Sequence, residues 1–216
     1  MALCSTSSPN TQNVREAAST SFNQIADTLG ISRMELMDKM IPDFGFENLF
    51  KTFEVNGEEW RAFIQTDLKI AYLNEMDEIK KSIPTKAAKE IKDEIKAINK
   101  NIRSISKNQK QNLEQNFIAQ RRWKAANWQE HFMGKALMFA FAQSLVWGIY
   151  GDGKFTEIFG VNQDQTLENT DFEEVEIPDN SMIDMVYPLE LDEATKKMRE
   201  TYLKENNITP PFQQID

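Results

Sequence analysis

Between Leu113 and Tyr150 the chain runs LEQNFIAQRRWKAANWQEHFMGKALMFAFAQSLVWGIY, which holds three of its four tryptophans, its only histidine and its longest apolar region. Trp128, Phe132, Ala136 and Phe139 fall on one helical stripe, and Met133, Leu137, Ala140 and Phe141 fill a neighbouring one. A helix apolar over most of its circumference has to be buried. Directly after it, Leu145, Trp147 and Ile149 alternate with Val146 and Tyr150, and Gly151-Asp152-Gly153 follows, the pattern of a strand entering a hairpin. A buried helix feeding a central strand predicts a scaffold, and no reaction chemistry is evident in it.

The element before it is the most unusual. From Lys86 to Gln120 there is neither Pro nor Gly, and Ile91, Ile95, Ile98, Ile102 and Ile105 recur at spacings of four and three. Leu113 and Phe117 extend this heptad seam beyond a polar interruption at Gln109 and Asn112. A continuous helix of ~35 residues spans ~52 Å at 1.5 Å per residue. That overruns a domain with a radius of gyration of ~17 Å. The helix therefore projects as an arm, or it breaks between Ser104 and Asn112, where helix formers are weak. Its apolar seam packs on a partner, which is either the chain itself or another molecule.

Charge is segregated along the chain. Residues 80–124 hold 13 Lys and Arg against 4 Asp and Glu, a net +9 within an overall −9, which leaves −18 on the rest. Lys100, Arg103, Lys107, Lys110, Arg121, Arg122 and Lys124, with Trp123 among them, are the candidates for contact with a polyanion. The competing reading is a solvated helix whose lysines answer the acidic remainder of the fold, which would repel nucleic acid at long range. Cys4 is alone, so no intrachain disulfide forms, and a reducing, cytoplasmic setting is expected. No stretch is apolar for ~18 residues, so no membrane span is expected.

Residues 1–11 are expected to be disordered, and residues 12–213 to form a single α+β domain with possible sub-units 12–84 and 85–213. From Asn13 to Leu29, Val14, Ala18, Phe22, Ile25 and Leu29 mark one helical face, and Gly30 stands where a C′ glycine ends a helix. Ser32 with Glu35 is a capping box opening a second helix, closed by Pro42. The pair reads as a packed helical hairpin. It also has the outline of a helix-turn-helix, but Arg33 and Lys39 against Glu35 and Asp38 leave its second helix neutral, without the attraction a phosphate backbone needs. Asn56-Gly57 then signals a hairpin within a β-meander running to Leu73, with Glu58–Thr66 fitting either period. Beyond residue 150, Phe155–Val161 is a strand, residues 162–181 an acidic connection with a short strand at Glu174–Ile177, Met182–Tyr187 a strand, Asp192–Asn206 a helix, and Pro210-Pro211-Phe212 an extended tail. The fold class is α+β: an N-terminal helical hairpin, an antiparallel or mixed sheet from short meanders, and one long basic helix followed by a buried Trp-rich helix.

No familiar reaction chemistry is spelled out. His131 has no second histidine, and Glu130 beside it points about 100° away on a helix, so no metal or cofactor is expected. Gly148, Gly151 and Gly153 make no phosphate-cradling loop, and no Gly-x-Ser-x-Gly elbow occurs. The acidic run from Asp164 to Glu176 lacks calcium-loop order and reads as a solvated loop. An enzyme would need titratable groups converging near Trp123 or Tyr187.

LEQNFIAQRRW, Trp128 and SLVWGIY, with LGISRMELMDKMIPDFGFE and KKSIP upstream and VYPLELDEA and ITPPFQQ downstream, occur in an order that resembles the bacterial MolR-like domain of unknown function (domain of unknown function 4132). The resemblance covers residues 20–213. It implies a module associated with WGR domains and a regulatory link to molybdate metabolism, and it brings no catalytic residues. Where that family has histidine before the proline of the PLEL segment, this chain has Tyr187, and Trp147-Gly148-Ile149 is not a WGR motif. The functions expected are a non-enzymatic interaction or regulatory module that binds a protein partner or self-associates through the five isoleucines or the Trp-rich surface, or else a nucleic-acid or nucleotide-responsive module using residues 80–124.

Overall fold

In the computed structural model, which describes residues 9–215, the chain divides into two compact units, Met1–Pro42 and Asp43–Asp216. The boundary thus falls at Pro42, and Pro84 is internal to the second unit. Of the N-terminal run expected to be disordered, residues 1–8 lie outside the described residues; helix α1 (Pro9–Leu29) begins before Asn13.

The first unit is the expected helical hairpin. Gly30 has φ +66°, and Gly30 N–H and Ile31 N–H donate to Asp27 O and Ala26 O, a Schellman pair that consumes the last carbonyls of α1. Ser32 then caps α2 (Arg33–Lys39): Ser32 Oγ accepts from Glu35 N at 3.1 Å and Glu35 Oε2 accepts from Ser32 N at 2.7 Å. Arg33 turns back, donating to Ser19 Oγ at 2.9 Å and Asn23 Oδ1 at 2.8 Å with its guanidinium over the Phe22 ring. One of the two basic side chains of α2 is therefore engaged in holding the hairpin.

The second unit holds two antiparallel sheets. Strands β1 (Lys51–Val55), β2 (Glu58–Ile64), β3 (Ile70–Leu73) and β4 (Ile79–Lys80) form a meander in that order. Asn56 and Gly57 both have positive φ, the type I′ geometry that matches the twist of the flanking strands. The other sheet has the order β5 (Trp123–Lys124), β9 (Met182–Met185), β6 (Trp147–Gly151), β7 (Lys154–Val161), β8 (Leu167–Glu168). Asp152 and Gly153, again at positive φ, turn β6 into β7. Strand β9 arrives last in sequence yet sits between β5 and β6, so a single strand ties the chain on either side of the Trp-rich segment to the C-terminal region. All of these pairings are antiparallel, and the sheet is not mixed.

Helix α3 (Lys89–Ile118) is one 30-residue element, about 45 Å at 1.5 Å per residue. Neither expected alternative holds, since it does not break and it is not a bare arm. Ser106, in the weak stretch, is buried and donates from Oγ to Arg103 O, so its hydroxyl is satisfied inside the helix. Ile95, Ile98, Ile102 and Leu113 are buried along one side. Lys51 of β1 pairs with Glu94 at 2.8 Å near one end, and Phe117 stacks on Tyr187 and packs on Phe212 near the other. Tertiary packing supplies what intrinsic propensity lacks.

The Trp-rich segment is buried as expected, but it is not one helix. Helix α4 (Ala125–Trp128) passes into a π-helical turn over Gln129–Met133, and α5 (Ala136–Ala142) restarts after Gly134 and Lys135. Gly134 N–H donates to Gln129 O, five residues back, and a Cβ at Gly134 would stand 2.6 Å from Glu130 O. Glycine alone allows that carbonyl so near. The break lets Trp128 and Phe132 turn together onto β6 and β7: Trp128 meets Trp147 and Phe159 edge-on at 5.2 and 5.4 Å, and Phe132 lies 4.5 Å from Trp147. Helix α6 (Glu193–Glu205), capped by Asp192, follows a 3₁₀ turn at Pro188–Glu190. The tail is not loose, because Gln214 is buried.

Candidate functional site

Alternation on β6 and β9 separates two sheet faces. Trp147 and Ile149 with Ile183 and Met185 face the aromatic core; Gly148 and Tyr150 with Asp184 lie on the other face, Gly148 directly opposite Asp184. There Arg122 Nε donates to Asp184 Oδ2 at 3.2 Å, and its guanidinium carbon stands 3.8 Å from the Tyr150 ring centroid. Tyr150 Oη donates to Glu190 Oε2 at 2.6 Å, and that oxygen also accepts from Tyr187 N at 3.3 Å. Four polar side chains from four places in the sequence thus converge beside Trp123 and Tyr187.

Asp184 is 5% exposed and its Oδ1 has no hydrogen-bond partner. Burial lifts its carboxyl to about 6; the Arg122 bond and charge act the other way without cancelling the lift. The Tyr150 hydroxyl is pushed far up by burial, then by its bond to Glu190 and the charge of Asp184. The cluster could hold or release one proton near neutral pH. With Asp184 so enclosed it acts as a buried polar link between β5, β6, β9 and the 3₁₀ turn. Of its members only Arg122 stood out in the sequence. Asp184 was missed, although a carboxylate flanked by Ile183, Met185 and Val186 inside a strand that can bury both faces was the signal that could have found it.

The five isoleucines separate: Ile95, Ile98 and Ile102 are buried, and Ile91 and Ile105 are half-buried. The chain itself covers the seam, which leaves no bare heptad stripe for a partner. Trp123, Trp128 and Trp147 are buried as well, so there is no Trp-rich surface. The basic residues divide into two groups. Lys100, Arg103, Lys107 and Lys110 follow one another at three, four and three residues, and the unbroken helix sets them on one stripe away from the isoleucines. None of these four makes an ion pair among the described residues. Lys124 is exposed on β5. Arg121 lies over the Trp123 ring at 4.5 Å and Arg122 is held by Asp184, so those two guanidiniums serve the fold. His131 is buried against Phe132. Tyr187, where histidine was expected from the resemblance, stacks on Phe117.

A further set of residues surrounds a cleft of about 560 Å³ between α6 and the β7–β8 edge, with Ile158, Val161, Phe172, Met198 and Tyr202 among its walls and Arg199 in its lining. Among the described residues no helix is long and apolar enough to cross a membrane.

This antiparallel α+β unit belongs to a family without an assigned activity: the domain of unknown function (DUF4132) matches residues 78–216, more than half of the chain, and the chain is a member of it. It is also 24% identical over 218 residues to the uncharacterized protein YehI of Escherichia coli (strain K12), an alignment covering 94% of this chain and 18% of that protein. The chain therefore spans less than a fifth of that relative's length. No solved structure matches it.

Proposed function

We propose that the chain is a non-enzymatic interaction module that docks an amphipathic helix of a protein partner on the bare apolar face of its N-terminal hairpin. The observation that carries this is the face the sequence builds as core on α1: Val14, Ile25 and Leu29 are 63, 51 and 58% exposed. Met34, Met37 and Met40 add exposed thioether side chains on and just after α2. A two-helix hairpin cannot enclose its own apolar stripe, and methionines adapt to whichever surface packs against them. The enclosure of Asp184 supports binding over catalysis. A regulatory role, a MolR-like and WGR-associated context and a cytoplasmic setting accompany this reading, supported by the SLVWGIY and VYPLELDEA segments and by the lone Cys4.

The test is a paired capture from extracts of the chain's own host with the unmodified protein and with an Ile25→Asp/Leu29→Asp variant. Both positions are exposed, so folding is expected to be unaffected. A discrete protein retained by the first and lost from the second is the expected result. Equal retention by both, or a chain that stays monomeric and captures nothing, overturns the reading; concentration-dependent self-association lost in the variant would identify the occupant as a second copy.

One observation favours a second reading, binding of nucleic acid, namely the Lys100–Arg103–Lys107–Lys110 stripe free of carboxylate partners. Such binding would weaken steeply with added salt and be lost on Lys100→Glu/Lys107→Glu. Its absence at roughly 50 mM salt, where phosphate contacts are least screened, would end it.

A further inference from the structure

Arg199 is a half-buried cation of the second unit that no carboxylate answers among the described residues. Its Nη2 donates to Gln143 O at 3.0 Å and Leu145 O at 3.1 Å, and its guanidinium stands 4.8 Å from the Tyr202 ring centroid. Its Nε is buried without an acceptor. Two backbone carbonyls orient the group and do not neutralise it, and burial lowers it only to about 10, so it stays charged at neutral pH. A half-buried guanidinium with its Nε enclosed and no anion beside it is costly to fold around.

The unused side of the group faces the cleft. Nη1 has no hydrogen-bond acceptor among the described residues and lies 3.5 Å from where a Cβ on Gly160 would stand, and Gly160 and Arg199 both line the cleft. The missing side chain at Gly160 is what keeps that approach open. Around it the walls are apolar, and Phe172 remains 75% exposed at the margin. The volume of about 560 Å³ falls within the range of small-molecule sites. Glu168, Lys197 and Glu205 also line the cleft. With Arg199 they make its formal charges cancel, so one cation answers a single carboxylate while the second charge of a phosphate monoester would be desolvated without a net counter-charge.

We propose that this cleft binds a small monocarboxylate with an apolar body, its carboxylate accepting from Arg199 Nη1 and its body lying against Ile158, Val161, Met198 and Phe172. A charge-assisted bond made out of water supplies the orientation, and burial of the apolar body supplies most of the affinity. The site is independent of the N-terminal hairpin, so either assignment can fail without the other.

Calorimetric titration of the full chain with octanoate, 1-octanol and octyl phosphate tests it. Saturable one-to-one binding of octanoate is expected, with the alcohol weaker by about tenfold or more, the scale of one lost charge-assisted bond, and the phosphate weaker because its second charge goes unanswered. Arg199→Met keeps much of the side-chain length without the charge and should abolish the preference for octanoate over octanol. If that variant does not fold, Gly160→Val decides: valine suits a strand, and its methyl groups occupy the space beside Nη1, so octanoate binding should fall by about tenfold or more. Equal binding of octanoate and octanol, no saturation by octanoate at about 5 mM, or unchanged octanoate binding in a folded Arg199→Met or Gly160→Val chain overturns the proposal.

Discussion

Gln214 sits two residues from the C-terminus, yet its side-chain amide closes the end of the larger sheet. Its Oε1 accepts from Val146 N at 2.9 Å, and its Nε2 donates to Val146 O at 2.7 Å and Val186 O at 3.1 Å. Gln214→Ala leaves buried backbone groups short of partners, and each such group costs about 1–3 kcal/mol, so a loss of roughly 2–4 kcal/mol is expected in urea unfolding. Asp184 sets a pH dependence. A free aspartate titrates near 3.8 and this one at about 6, so between those values the folded chain keeps a proton that the unfolded chain has released. Stability is therefore fully supported below about 4 and falls as pH rises through about 6, by up to roughly 3 kcal/mol for two pKa units. Asp184→Asn should remove that step, so its stability relative to the unmodified chain should rise between pH 4 and pH 7 in parallel urea titrations; a constant difference would show that Asp184 is not the group responsible. At this scale the sequence was legible wherever a side chain answers its own neighbourhood, as at Ser32 and Glu35, Asn56-Gly57, Asp152-Gly153 and the Asp192 cap. Arg122 and Asp184 are 62 residues apart, and Arg199 is 54 residues from Leu145. No local pattern records either meeting.

Helix α3 shows the same division one level up. Its period was plain, because isoleucines at intervals of three and four can only form one stripe on a helix. Which body covers that stripe is not written in the period, since a heptad seam reads alike whether its partner is the same chain or another. Burial distinguishes the positions quantitatively. Ile102 is fully enclosed, and Ile102→Ala should cost about 2–5 kcal/mol, whereas Ile91→Ala and Ile105→Ala, at half-buried positions, should cost less than half as much. Equal losses at all three, measured by urea unfolding, would contradict the packing described here. Helix α5 begins where it does for a different reason. The apolar stripes of residues 128–141 suit one continuous helix, but the aromatic rings pack on β6 and β7 only after the turn at Gln129–Met133 shifts their phase, and Gly134 makes room for that turn. Gly134→Ala should therefore destabilise the fold by more than the usual helix-propensity difference, which by itself would favour alanine by about 1 kcal/mol.

For the whole molecule, the segregation of charge and the apolar hairpin face have opposite fates. The basic segment lies on a helix that the second unit holds by its buried side, which leaves Lys100, Arg103 and Lys107 on the exposed side. The hairpin forms the first unit and keeps an apolar face in water. Ile25→Asp/Leu29→Asp should therefore leave the thermal unfolding of residues 43–216 unchanged while removing partner capture, and a fall in both would show that the face serves stability instead. The sequence by itself determined α1, α2, α3 and α6, the hairpin strands, and their caps and turns, because these depend on residues within a few positions of one another; the short strands β4, β5 and β8 and the break in the Trp-rich helix were not legible there, and Glu174–Ile177, expected as a strand, contributes only an isolated bridge at Glu174. Only the tertiary structure decided that β9 enters between β5 and β6, that the isoleucine seam is interior while the α1 face is bare, that Asp184 is enclosed and that Arg199 lies half-buried at the cleft. Those outcomes depend on which distant surfaces meet, and a surface carries no mark of the partner that will cover it.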